Sequence, residues 1–108
     1  MQLSDLKSIL EGVLPDGVVY RNWPVGEAPP LPYICYMATG SDDFAADNIN
    51  YYSGTPVRIE LYEETKSLTL EQQLEAALTT AGIFWSRDET YIDTEKCNLL
   101  IYEVTIHG

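Results

Sequence analysis

The chain has 108 residues, with 17 acidic and 6 basic side chains, a formal net charge of −11 and a pI of about 4.1. Basic residues scattered at positions 7, 21, 58, 66, 87 and 96 cannot build the clustered cationic surface that grips nucleic-acid phosphates or an anionic membrane. The acidity does not imply disorder, because 45% of the residues are hydrophobic and eight Tyr, two Trp and two Phe supply bulk for a core.

Apolar residues at 3, 6, 9/10 and 13/14 predict a helix over Leu3–Leu14, capped by Ser4 or Asp5 and stopped by Pro15-Asp16-Gly17. Val18–Arg21 reads as a short strand. Residues 22–32 hold four prolines and a glycine, which exclude a helix or an inner strand. Trp23 and Leu31 give this loop apolar surface to pin it down. Tyr33–Ala38 is a continuous apolar run and predicts a central strand buried on both faces. Thr39–Asn50 is polar, carries three carboxylates and has no period, so it predicts a long loop of the kind that tends to carry function. A strand resumes from Tyr51. Within Pro56–Tyr62, Val57, Ile59 and Leu61 alternate with Arg58, Glu60 and Tyr62, predicting one buried and one wetter face.

Thr69-Leu70-Glu71-Gln72 reads as a capping box opening a second helix. Leu70, Leu74, Ala77, Leu78 and Ala81 form its apolar stripe, with Glu71 and Glu75 placed on the outer face and Gly82 closing the helix. Ile83–Arg87 is expected to be a strand, Asp88–Lys96 a polar connection, and Asn98–Ile106 the last strand. The order α-β-β-β-α-β-β predicts a single α+β domain over residues 1–108, a mainly antiparallel sheet with two helices on one face.

Chemistry is sparse. Cys35 and Cys97 lie 62 residues apart with His107 as their only soft companion, too few for a structural zinc site. Each sits in an apolar run, which predicts buried, reduced thiols; a disulfide would require their strands to be neighbours. Such thiols suit a reducing cytoplasm, the start of the chain does not read as a signal peptide, and no apolar stretch approaches the ~18 residues of a membrane span. His107 is the sole histidine and the penultimate residue, a poor place for a general base, so no Ser-His-Asp or Cys-His arrangement is expected inside the domain, and no glycine-rich phosphate motif occurs. No catalytic residue, metal or cofactor is expected, and the chain reads as a non-enzyme. Asp42, Asp43 and Asp47 share one loop but lack the alternation of a calcium-binding loop. Glu63-Glu64 and Asp88-Glu89 read as solvated strand ends, and Arg58 and Glu60 share a strand face where they can pair. Tyr51, Tyr52 and Tyr62 offer rigid contact area with a polar tip, suited either to covering sheet edges or to meeting a second copy of the chain.

Several stretches carry a resemblance in their order. They are the proline-rich approach to Pro32-Tyr33-Ile34-Cys35-Tyr36, Phe44-Ala45-Ala46-Asp47-Asn48 followed by Tyr51, and Ile59-Glu60-Leu61-Tyr62 with Lys66. Leu70-Glu71 through Leu74-Glu75 to Leu78 follows, then Gly82-Ile83-Phe84-Trp85 leading through Tyr91-Ile92 and Glu95 to Tyr102-Glu103. The set resembles the small tail-completion, or tail-terminator, proteins of long-tailed phages and prophages of Gram-positive bacteria. The resemblance implies a small α+β subunit that forms a ring, often a hexamer, on the head-proximal end of the tail tube. Such a ring stops tube growth, receives the head connector and lets DNA pass.

The implied partners are further copies of the chain, the tail tube protein and the head connector protein, with no specific nucleic-acid binding and no membrane. The implied location is the host bacterial cytoplasm during assembly and then the virion tail or neck. Asp42, Asp43, Phe44, Asp47, Tyr51, Tyr52 and Tyr62 are the candidates for protein contact or for lining the bore. The alternative is another non-enzymatic module of the same fold class, such as a minor capsid or neck protein. The charge divides as −5 over residues 1–54 (two basic, seven acidic) and −6 over residues 55–108 (four basic, ten acidic). It belongs to the whole surface and not to a tail, and a bore of that sign repels DNA that slides through it.

Overall fold

The computed structural model describes residues 1–24, 26–39 and 54–107. The elements follow one another as α1 (Leu3–Val13), β1 (Val18–Tyr20), β2 (Tyr33–Ala38), β3 (Thr55–Glu63), α2 (Leu68–Thr80), β4 (Trp85–Ile92) and β5 (Cys97–Ile106). This is the expected α+β order. The strands form one mixed sheet in the order β1-β2-β3-β5-β4, in which β1 and β2 are parallel and every other pair is antiparallel.

Both helices lie on the same side of the sheet. Leu6 and Leu10 of α1 and Leu74 and Leu78 of α2 meet Ile34 and Tyr36 of β2, Val57, Ile59 and Leu61 of β3, and Leu100 and Tyr102 of β5 in one cluster. The alternation in β3 therefore does what its period implies: every second residue from Val57 is buried. Each fully buried aliphatic side chain here contributes roughly 1.5–3 kcal/mol of transfer free energy.

The helix ends differ in detail from the sequence reading. In α1, Asp5 is not the N-cap; its carboxylate accepts the N–H of Gln2 at 2.7 Å, the reach-back half of a capping box. In α2 the cap is Ser67 and not Thr69: Ser67 Oγ accepts the N–H of Leu70 at 3.2 Å, and Thr69 sits inside the first turn. Replacing Ser67 with Ala is expected to lower stability by about 1 kcal/mol in urea unfolding, and Thr69→Ala by much less. At the other end Gly82 is left-handed, with φ of +77°. Its N–H bonds Thr79 O, and the N–H of Ile83 bonds Leu78 O at 2.9 Å. This double closure, with Ile83 and Leu78 both buried, is a Schellman motif.

Two further corrections concern the strands. β4 runs from Trp85 to Ile92, so Asp88–Ile92, expected in a connection, belong to a strand. Its interior residues are all exposed, and an edge strand wetted on both sides carries no hydrophobic alternation. Backbone pairing with β5, from Trp85 opposite Val104 to Ile92 opposite Cys97, is what makes it a strand. β2 is buried on both faces only at Ile34, Cys35 and Tyr36; Tyr33, Met37 and Ala38 are half-buried. At the start of β3, Gly54 has φ of +97°, and a Cβ there would sit 2.8 Å from Ile106 O, so only glycine fits.

Candidate functional site

The described helices pack on one face of the sheet, and its second face is the candidate interaction surface. Tyr33, Cys35 and Met37 of β2 lie beside Tyr62, Glu60 and Arg58 of β3, which lie in turn beside Leu99, Ile101 and Glu103 of β5. No helix among the described residues packs on this face. Over the β2 end passes the proline-rich loop, anchored by Trp23, whose ring meets Tyr33 edge-on at 5.9 Å. Tyr33 packs in turn on Tyr62 at 5.0 Å. Loop and sheet enclose a cleft of about 540 Å³ lined by Trp23, Tyr33, Cys35, Met37, Glu60 and Tyr62. This is the pinning that Trp23 was expected to supply.

The polar groups of the cleft are partly tied down. Tyr62 donates its hydroxyl to Glu60 Oε1 at 2.9 Å, and Arg58 Nε lies 3.0 Å from Glu60 Oε2. Burial, then the bond to Glu60, pushes the Tyr62 phenol well above its ordinary range. Burial, then the charge of Glu60, pushes the Cys35 thiol up to about 11, and burial raises Cys97. Thiols so raised are protonated at neutral pH and poor nucleophiles. Both cysteines are free, and β3 separates their strands. The indole N–H of Trp23 finds no acceptor among the described residues.

Of the candidates for protein contact or for lining the bore, Tyr62 alone lies among the described residues, half-buried in this face. Asp42, Asp43, Phe44, Asp47, Tyr51 and Tyr52 lie outside the described residues.

A second cluster lies on the helix-covered face, and sequence reasoning missed it. Glu63 and Glu71, expected at a solvated strand end and on the outer face of a helix, are each only 1% exposed. Lys66 Nζ donates to both Glu71 oxygens at 2.9 and 2.8 Å and to Glu89 at 3.0 Å. Arg87 Nη1 donates to Glu71 at 3.2 Å and to Glu75 at 2.6 Å, and Glu75 also accepts the Tyr102 hydroxyl at 2.8 Å. The extended β4 carries Arg87 and Glu89 onto the helix side of the sheet, opposite Tyr102 and Leu100, which draws the first turns of α2 over the strands. One signal was legible: Glu63 continues the buried parity of Val57, Ile59 and Leu61.

No group of His, Cys, Asp and Glu side chains among the described residues has the arrangement of a metal site. No helix among them is long and apolar enough to cross a membrane. The chain matches no protein-family model, no curated protein and no solved structure.

Proposed function

We propose that this chain is a structural, non-catalytic subunit of a phage or prophage tail, a tail terminator or head–tail joining protein acting as a ring on the tail tube. The observation that carries the reading is the sheet face that no described helix covers. Helices bury one face, while the other presents half-buried Tyr33, Tyr62 and Ile101 around the Arg58–Glu60 pair. A surface of aromatic residues with polar tips and a paired charge suits contact between protein subunits. The exposed Phe84, at 93% exposure between α2 and β4, is a further apolar anchor of the kind that fills a partner's pocket.

The charge agrees with this role. A net −11 on each subunit opposes self-association in free solution, so the ring forms on the tube, where the tube protein supplies the template. The same charge keeps passing DNA from sticking. Asp42, Asp43 and Asp47 are proposed to line the bore or to contact the tube, with Phe44, Tyr51 and Tyr52 as contact residues beside them.

Electron microscopy of tails assembled with and without the protein tests the reading. Tubes of unregulated length in its absence, restored to one length by adding it, are the expected result. Normal tails without it, together with heads that fail to join, would move the role from termination to the neck. Normal, fully joined tails would overturn it.

A further inference from the structure

Glu63 and Glu71 come from different elements and meet inside the protein. Glu63 ends β3, Glu71 lies in the first turn of α2, and each is 1% exposed. Their carboxyl groups are near enough for each to act on the other's proton affinity. Two carboxylates are acceptors only, so a hydrogen bond between them would need a proton on one of them.

The surroundings say which one. Glu71 receives Lys66 on both oxygens and Arg87 on one, so it holds its negative charge. Glu63 receives only the backbone N–H of Ser67, on Oε2 at 3.3 Å. Its Oε1 has no donor among the described residues. A buried oxygen that accepts nothing, beside a charged carboxylate, is where a proton is held most cheaply.

We propose that Glu63 is protonated in the folded protein and donates through Oε1 to Glu71, making the β3–α2 joint a proton-linked contact. Burial, and then the bond to Glu71, pushes the Glu63 carboxyl up to about 7. Burial also acts to raise Glu71, but Lys66, the bond from Glu63 and Arg87 outweigh it and hold Glu71 below the ordinary range. The other charged or titratable groups facing the pair are Lys66 in the joint, Glu75 of α2, Arg87 and Glu89 of β4, and Tyr102 of β5. Lys66 is pushed up by its bond to Glu71, Tyr102 is pushed up by burial, and Arg87 is always charged, so these three stay protonated from pH 5 to 8.

The sign follows. A carboxyl raised on folding binds its proton more tightly in the folded state, so its stabilisation is full below the unfolded value near 4.5 and is lost as pH rises through about 7. Between pH 5 and 8 this one group raises the unfolding equilibrium constant roughly 70-fold. Two measurements on the full chain test the proposal. Carbon NMR of the Glu63 carboxyl across pH 4–9 is expected to show a titration near 7. Urea unfolding at pH 5 and 8 is expected to show the loss in the wild type and not in Glu63→Gln, whose amide replaces the protonated acid as donor to Glu71. Titration of Glu63 in the ordinary carboxylate range, or an equal loss in both proteins, would overturn it; if Glu63→Gln fails to fold, the wild-type titration decides.

Discussion

Replacing Tyr102 with Ala is expected to lower the unfolding free energy by about 4 kcal/mol. That is a large part of the roughly 5–15 kcal/mol that holds a domain together. Tyr102 has no exposed surface and heads the largest fully buried side chains of the core. It lies in β5 between Ile59 of β3 and Arg87 of β4, and its ring meets Trp85 edge-on at 5.7 Å. Truncation opens a cavity under both neighbours, and a tightly packed interior closes only part of it. Tyr102→Phe separates the two contributions. It keeps the ring and removes the hydroxyl with its 2.8 Å bond to Glu75, so about 1.5 kcal/mol is expected. Urea unfolding of the two variants checks this. Equal losses would place the energy in the hydroxyl and not in the ring.

Arg87→Met is expected to cost about 2 kcal/mol, below the roughly 3–5 kcal/mol of breaking a fully buried ion pair. The reason lies with its partner. Glu71, at 1% exposure, keeps its charge after the substitution but has Lys66 as its one remaining cation, and Glu75 loses a 2.6 Å bond. Arg87 itself is about a third exposed, so the figure describes the stranded carboxylate and is tempered by the remaining lysine. The exposed Lys7–Glu11 pair, 3.9 Å apart with side chains 50% and 40% exposed, provides the contrast. Lys7→Met is expected to change stability by no more than about 0.5 kcal/mol. Chemical denaturation of both variants at moderate salt reads the difference.

The elements that were legible are those whose burial has a period. Leu3, Leu6, Ile9/Leu10 and Val13 repeat at helical spacing, and Val57, Ile59 and Leu61 alternate. Leu74 and Leu78 run into Gly82, whose left-handed turn ends α2 where the glycine stands. Each reports one local surface pressed against the core. Where burial has no period, the reading failed. Asp88-Glu89-Thr90 looks like a turn because every side chain is wet, yet the segment is held as β4 by backbone hydrogen bonds to β5. The helical stripe puts Glu71 on the outer face; β4, running on to Ile92, brings Arg87 and Glu89 beside the start of α2, and Glu71 is buried there. The face that bears Tyr62 was legible as the wetter side of β3, but its partners Tyr33 and Trp23 come from β2 and the loop before it, and only the β2–β3 register brings them together.

Composition and periodicity settle this protein's class and its charge: an α+β chain with two amphipathic helices, enough apolar bulk for one core, and an acidic surface shared by both halves. These follow from local chemistry, since each residue's preference is expressed against water or against its own turn of helix. Which carboxylates leave water is a different kind of fact. Glu63 and Glu64 are adjacent and chemically alike, yet Glu63 is buried and Glu64 is exposed, because strand parity turns Glu63 toward α2 while Glu64 lies past the end of β3. A buried carboxyl is tolerated only where a cation or an N–H pairs with it or where it keeps its own proton. Lys66, Glu71 and Arg87 come from the loop before α2, the helix itself and an edge strand, and it is the folding of those three against one another that lets Glu63 leave the water.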